Sequence, residues 1–170
     1  GAEIIQELEA EIRFLEIEAQ SLTGDIISVN RTYTGTLSEI TSGIATLDES
    51  WVNSEGINSL IDLVLNNPTS TNLRRFQSIS PDHVELFVTD IYGANIAATN
   101  RTSDYYQGDE AWWTTTFNNG AGAIYIGQPE FDESSQTYAI NIAVPVYDKS
   151  NVIGVLRSTL TVERLLNLLA

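Results

Sequence analysis

The chain has 170 residues, 42% of them hydrophobic, which is the size of one domain with a substantial core. A net charge of −15 with only eight Lys and Arg excludes nucleic acid as a partner, because phosphate binding needs a basic stripe. The absence of cysteine excludes a disulfide framework, thiolate zinc sites and a Cys nucleophile.

The first predicted element is a long helix. Apolar residues at Ile5, Leu8, Ile12, Leu15, Ala19, Leu22, Ile26 and Val29 alternate steps of four and three, with Glu and Gln between them. Such a seam either packs on the chain's own domain or joins two chains; the partner expected is a second copy, held through this N-terminal helix. The pattern breaks near Thr34-Gly35 and resumes as a stripe of Leu37, Ile40, Ile44 and Leu47. Ser54 to Leu65 reads as a further helix stopped by Pro68, and Asn72 to Ser78 as a short one broken at Ser80-Pro81. Arg74-Arg75, the only adjacent basic pair, reads as a solvated face, with a salt bridge as the alternative.

From His83 the period becomes two. Val84, Leu86 and Val88 alternate with His83, Glu85 and Phe87, and Asp90-Ile-Tyr-Gly93 turns the chain into a strand over Asn95 to Thr99. Asp90 can accept from the turn amides, and Gly93 can take the positive φ such a turn needs. His83 is the only histidine; without a second one for a metal cluster or a triad, its role is structural.

Asp104 to Asp132 holds two of the three Trp and three of the seven Tyr among several acids, too much aromatic surface for a linker. Tyr and Trp offer a large apolar body and a polar tip, which suits the wall of a small-ligand pocket; the alternative is that the rings plug a core. Ala121 to Gly127 is a third strand and Gln136 to Tyr147 a fourth. On the fourth, Tyr138, Ile140, Ile142, Val144 and Val146 share a bulky face that can pack on helices. The small face of Ala139, Asn141, Ala143 and Pro145 leaves room for a ligand. The last strand, Val152 to Thr161, carries Arg157 among apolar neighbours, where it needs a partner such as a carboxylate of the pocket loops; a helix over Val162 to Leu169 follows.

Helices followed by sequential antiparallel strands indicate an α+β fold. The fragments Asp90-Ile-Tyr-Gly-Ala-Asn, Asp104-Tyr-Tyr through Trp112-Trp113, Tyr125-Ile-Gly-Gln-Pro-Glu-Phe-Asp132, Ile142-Ala-Val-Pro-Val-Tyr-Asp and Val152-Ile-Gly-Val-Leu resemble, in that order, the Cache family of extracytoplasmic sensor domains. The resemblance implies a long N-terminal helix and further helices on a PAS-like antiparallel sheet of about five strands, with a short C-terminal helix. It also implies a helical arm over 1–82 and a sensor sheet with ligand loop and exit helix over 83–170, one single-Cache domain in all. By the same resemblance the chain is the extracellular or periplasmic part of a membrane-tethered receptor, a histidine kinase or a chemoreceptor. No apolar run reaches the roughly 20 residues of a membrane span. The Gly-Ala start and the lack of Met predict a piece of a longer protein whose flanks hold such spans, and two Asn-x-Thr sequons at Asn30 and Asn100 fit export.

The implied ligand site comprises Tyr105, Tyr106, Glu110, Trp112, Trp113, Tyr125, Asp132 and Asn141, with no catalytic residue, metal or cofactor. In the amino-acid-binding branch of the double-Cache proteins, an Arg-x-Trp-Tyr motif holds the ligand carboxylate and a later Asp its ammonium. Here Trp112 and Trp113 match the aromatic positions and Asp132 the later acid, while Glu110 stands where the Arg should be. Rings beside acids suit an amine or quaternary ammonium through cation-π contact. The alternatives are a divalent-cation sensor using Asp104, Asp109, Glu110, Asp132 and Glu133, without EF-hand spacing, or a ligand-free dimerisation module. Catalysis has no support: there is no Gly-x-Ser-x-Gly elbow, no phosphate-cradling glycine loop and no base beside a nucleophile.

Overall fold

The computed structural model describes residues 1–167. Among them the N-terminal seam forms helix α1 (Ala2–Ser21), which continues after Leu22 as α2 (Thr23–Asn30). Then come α3 (Leu37–Asn53), α4 (Ser59–Leu65), α5 (Pro68–Ile79), strands β1 (His83–Thr89) and β2 (Asn95–Ala98), and α6 (Ala111–Phe117). Strands β3 (Tyr125–Ile126), β4 (Glu130–Asp132), β5 (Thr137–Asp148) and β6 (Asn151–Thr161) and helix α7 (Glu163–Asn167) complete the order.

The strands form one antiparallel sheet of six in the order β2-β1-β6-β5-β3, with β4 also pairing β5. The sixth strand arises because the expected strand over 121–127 shrinks to Tyr125–Ile126, behind a short 3-10 turn at Asn118–Gly120. Glu130–Asp132 then returns to β5 through Pro129.

Each face of the sheet carries its own core. Ile12, Leu15, Ala19, Leu22 and Ile26 bury against Leu86, Val88, Ile140, Ile142, Val144, Leu156 and Leu160. The seam is thus spent on the chain's own sheet, and the bulky face of β5 packs on helices as its alternation predicts. On the opposite face Ile44, Trp51, Ile61 and Val64 meet Phe87, Ala98, Ala143, Val155 and the aromatic segment. Burying side chains of this size contributes roughly 1.5–3 kcal/mol each.

Helix starts follow their caps rather than their apolar patterns. Thr36 caps α3 by accepting from the Glu39 amide, just after Gly35 at φ +95°. The helix expected from Ser54 starts only at Ser59, because the Asn58 side chain accepts from the Ile61 amide. The helix ends at Leu65, ahead of Pro68, as expected, but Pro68 also opens α5: Asn67 and Ser70 form a reciprocal capping box, and a first-turn proline loses no hydrogen bond. The helix over Asn72 to Ser78 is therefore longer than expected. Arg74 is not a solvated cation either, since its Nη2 donates to the Leu65 carbonyl near the end of α4. Of the exit helix expected over Val162 to Leu169, residues 168 and 169 lie outside the described residues.

The hairpin at Asp90 forms as expected. Asp90 Oδ1 accepts from the amides of Tyr92 (2.8 Å) and Ala94 (3.1 Å), and Gly93 takes φ +89°. A bulge between His83 and Glu85 breaks the simple alternation of β1, so His83 opposes Leu160 while Glu85 opposes Thr159. His83 is thereby buried toward α1, and Glu85 faces the other side.

Candidate functional site

The aromatic segment is pinned to the sheet by buried polar contacts. Asp48 Oδ1 on α3 accepts from the amides of Tyr105 (3.0 Å) and Tyr106 (2.9 Å). The Asn95 amide donates to the Tyr105 carbonyl at 3.0 Å, and Trp51 Nε1 donates to the Thr102 carbonyl at 2.8 Å. These anchors hold α6 across the sheet face whose β5 residues are small.

The expected single pocket is two spaces. One is an aromatic cleft of about 340 Å³ lined by Ile44, Tyr92, Tyr106, Trp113 and Phe117. The other is a polar cavity of about 250 Å³ floored by Asn141, Arg157 and Thr159 and rimmed by Glu85, Glu130, Phe131 and Asp132. Consecutive residues of α6 point to different neighbours. Trp113 stacks on Phe117 (4.8 Å, 17°) and donates from Nε1 to Thr89 Oγ1 at 2.8 Å. Trp112 meets Phe87 edge-on at 5.7 Å and carries the Arg157 guanidinium at 4.8 Å from a ring centroid.

The predicted residues divide accordingly. Tyr106 and Trp113 line the cleft, and Asp132 and Asn141 line the cavity. Glu110 is the N-cap of α6, and its charge, like that of Tyr125 on β3, acts on Arg157. Tyr105 lines neither space. It is buried against Trp51 (5.9 Å between rings), and burial, then the charge of Asp90, pushes its hydroxyl up to about 12. Glu85, Glu130, Phe131, Arg157 and Thr159 belong to the cavity but were not expected there; only the apolar surroundings of Arg157 signalled it.

Arg157 is the unusual group. It sits on β6 between the rings of Phe87 (5.3 Å) and Trp112, forms no ion pair among the described residues, and its buried Nε has no hydrogen-bond partner. The expected pairing with a loop carboxylate is not formed. Burial lowers its pKa, against the charges of Glu85, Glu110, Tyr125 and Glu130, which raise it. Burial likewise raises the pKa of Glu85, with Arg157 opposing and Asp132 adding to the shift. Asp132 is held low, first by the Ser135 hydroxyl at 2.6 Å, with the Ser134 hydroxyl at 2.9 Å adding to it. Asn141 Oδ1 accepts from Thr159 Oγ1 at 3.1 Å, which leaves its amide nitrogen for a guest.

On the opposite face of β6, Ser158 joins a buried polar row. His83 Nδ1 is 2.6 Å from Ser158 Oγ and His83 Nε2 is 2.7 Å from Glu11 Oε2. A carboxylate can only accept, so Nε2 carries the proton and Nδ1 accepts from Ser158. Arg164 on α7 completes the row, within 3.2 Å of both Glu7 and Glu11 and 3.3 Å of Asp82. Among the described residues no three or more acids or histidines converge as a metal site, and no helix is long and apolar enough to cross a membrane.

A sheet with helical cores on both faces and a cavity over its small-residue strand defines an α+β sensor domain of the PAS-like kind. Residues 59–167, more than half of the chain, match the methyl-accepting chemotaxis protein-like, first PDC sensor domain, and the chain belongs to that family.

Solved structures with a similar fold include the sensory domain of the Campylobacter jejuni chemoreceptor Tlp3 with isoleucine bound (18% identity, 98% of this chain and 64% of that one, TM-score 0.45). The ligand-binding domain of the Pseudomonas aeruginosa amino acid chemoreceptor PctC with GABA is 17% identical over 78% of this chain and 63% of that one (TM-score 0.47). The Vibrio cholerae histidine kinase DctB sensor domain is 16% identical over 90% and 58% (TM-score 0.36). The chain spans under two thirds of the length of each. No curated protein matches it.

Proposed function

We propose that the chain is the extracytoplasmic sensor unit of a membrane-tethered chemoreceptor or histidine kinase and that it binds a small molecule bearing a cationic group in the cavity over β5 and β6. The observation that carries this reading is the convergence of Glu85, Glu130 and Asp132 on one cavity that holds a single cation, Arg157. Three carboxylates against one guanidinium leave an excess of negative charge, which a desolvated ammonium would neutralise. A space of about 250 Å³ suits a ligand of few heavy atoms. The chain acts as one sensing unit, helices and sheet together, rather than as an enzyme.

A homodimer through the N-terminal helix is part of the same reading. The face of α1 turned away from the sheet exposes Phe14 (51%) and Ile17 (68%), and α5 beside it exposes Ile79 (76%). Between them runs a groove of about 450 Å³ containing both Glu18 and Arg75, which a two-fold axis would set against each other's opposites.

A thermal-shift series with small amines, neutral metabolites, Ca²⁺ and Mg²⁺ tests the ligand reading. At about 100 times its dissociation constant a ligand adds roughly 2.7 kcal/mol. Stabilisation by amines that is lost in Asp132→Asn supports the reading; stabilisation by Ca²⁺ or Mg²⁺ alone, or by nothing, sinks it.

A further inference from the structure

We propose that the aromatic cleft between α3 and α6 is a second binding site, separate from the cavity over β5 and β6, and that it takes a quaternary ammonium group. This goes beyond the reading of the cavity: the two spaces share no lining residue, so either can hold without the other.

The walls of the cleft are fixed by contacts made elsewhere. Gly93 of the β1–β2 turn and Gly108 pass so close that a Cβ on Gly93 would stand 2.5 Å from Gly108 Cα, and the Gln107 amide donates to the Gly93 carbonyl at 2.7 Å. This approach brings Tyr92 and Tyr106, from two separate segments, to the same cleft as Trp113. Tyr92 meets Tyr33 edge-on at 4.9 Å, and the Tyr33 hydroxyl is held by Asp90. Asp48 holds the Tyr106 amide, and Phe117 stacks on Trp113. The opposite wall is α3, where Thr41 and Ala45, one helical turn apart, are too short to fill the gap, so a space of about 340 Å³ stays open. Rings ordered in advance lose little freedom when a guest binds.

The chemistry of the lining selects the guest. Among the described residues no Lys, Arg or His lines the cleft, while the Asp48 carboxylate lies against the Tyr106 amide at 2.9 Å. Burial, then the charge of Asp109, raises the pKa of the Tyr106 hydroxyl, so a second acid acts at the same wall. This field favours a cation over an anion. The side-chain acceptors of the lining are the neutral hydroxyls of Thr41, Tyr92 and Tyr106. N–H donors bind a carboxylate more strongly than a neutral hydroxyl, so a primary ammonium is drawn to the acids of the cavity instead. A quaternary ammonium has no N–H group to satisfy and is attracted by aromatic rings. It is therefore the cation that a wall of rings, with acids behind it rather than in it, serves best.

The test is calorimetric titration of the chain with choline, tetramethylammonium and neohexyl alcohol, in which a carbon replaces the choline nitrogen. Choline is expected to bind more tightly than this isostere by about ten-fold or more, because the isostere keeps the shape and loses the charge. Tyr106→Leu should weaken choline by about ten-fold, and Tyr106→Phe, which keeps the ring, should retain the wild-type affinity. Ala45→Phe, at an exposed position of α3, fills the cleft. It should abolish choline binding with an unchanged melting temperature, so that a folding defect of the Tyr106 variants does not decide the matter. Asp132→Asn, which alters only the cavity, should leave choline binding as it is. An isostere that binds as tightly as choline, or failure of both quaternary cations to bind, overturns the proposal. So does choline binding that is lost in Asp132→Asn and kept in Ala45→Phe, which puts the cation in the cavity and leaves that reading standing. Choline binding that is lost in Ala45→Phe while no amine stabilises the chain upholds the cleft and sinks the cavity reading alone.

Discussion

His83 Nε2 lies 2.7 Å from Glu11 Oε2 in the interior, tying the first strand of the sheet to the N-terminal helix. Through Ser158 the same ring holds β6, and through Glu11 it meets Arg164 of α7. Both terminal helices are thus joined to β6 at Ser158, whose preceding residue, Arg157, floors the cavity.

Acid should weaken this row. Burial lowers the His83 pKa, while the hydrogen bond and charge of Glu11 and the charge of Asp82 raise it without reversing the shift. Because the folded value lies below the unfolded one near 6.5, the unfolded chain binds more protons in that window and stability falls as pH drops through it. Glu18, Glu85 and Asp90, whose pKa values burial raises, work in the opposite sense at the upper edge of the carboxylate range. The difference in urea-unfolding free energy between the wild type and His83→Gln, followed from pH 7.5 to 5, should narrow as the pH falls. A constant difference would mean that His83 does not titrate there.

Asp90 organises the β1–β2 turn, accepting from Tyr92 and Ala94 amides and from the Tyr33 hydroxyl. Asp90→Ala strands three donors, and a loss of about 3 kcal/mol in chemical denaturation is expected. Tyr33→Phe removes one donor and should cost about 1 kcal/mol. Equal losses in the two variants would show that the turn does not depend on the carboxylate.

Two adjacent tryptophans should have separable effects. Trp113→Ala empties the aromatic cleft and leaves the Thr89 hydroxyl without its donor, at about 3–5 kcal/mol of stability. Trp112→Ala instead removes the face on which Arg157 rests and should weaken ligand binding more than Trp113→Ala does. Equal affinities in both variants would place the ligand elsewhere.

Gly154 lies where β6 passes close to β1. A Cβ there would stand 2.3 Å from the Thr89 carbonyl oxygen, a backbone atom that cannot yield without opening the sheet, and 3.2 Å from Ile26. Gly154→Ala should destabilise by about 3 kcal/mol, read as a lowered urea midpoint with the slope unchanged. A wild-type midpoint would show that the strands separate at little cost.

The outer face of α1 gives the test of assembly. Ile17→Glu and Phe14→Glu lie away from the core and should convert a sedimenting dimer to monomer, with unfolding changed by no more than about 0.5 kcal/mol. A wild-type monomer at 100 μM, or a dimer that persists in both variants, would remove the N-terminal helix from the interface.

Much of the fold was determined by local sequence. The seam from Ile12 to Ile26, the alternation of β5 and the Asp90–Gly93 turn are each encoded by neighbours in the chain, through helical period, strand period and backbone freedom. Tertiary structure decided what those patterns face. The seam could equally serve a second chain, and only its contact with Ile142 and Leu156 spends it internally. Helix starts shifted where Asn58 and Asn67 caps outweighed the apolar pattern, and β1 lost its alternation to a single bulge. The concentration of rings over Asp104 to Asp132 was legible, but not its division between cleft and cavity, because Trp112 and Trp113 are adjacent in sequence and turn toward different rings. Arg157 was visible only as a cation among apolar residues. That it lies beneath Trp112 without an acid to pair with depends on strands β1, β4 and β5 meeting around it, and such a meeting of distant segments leaves no local pattern.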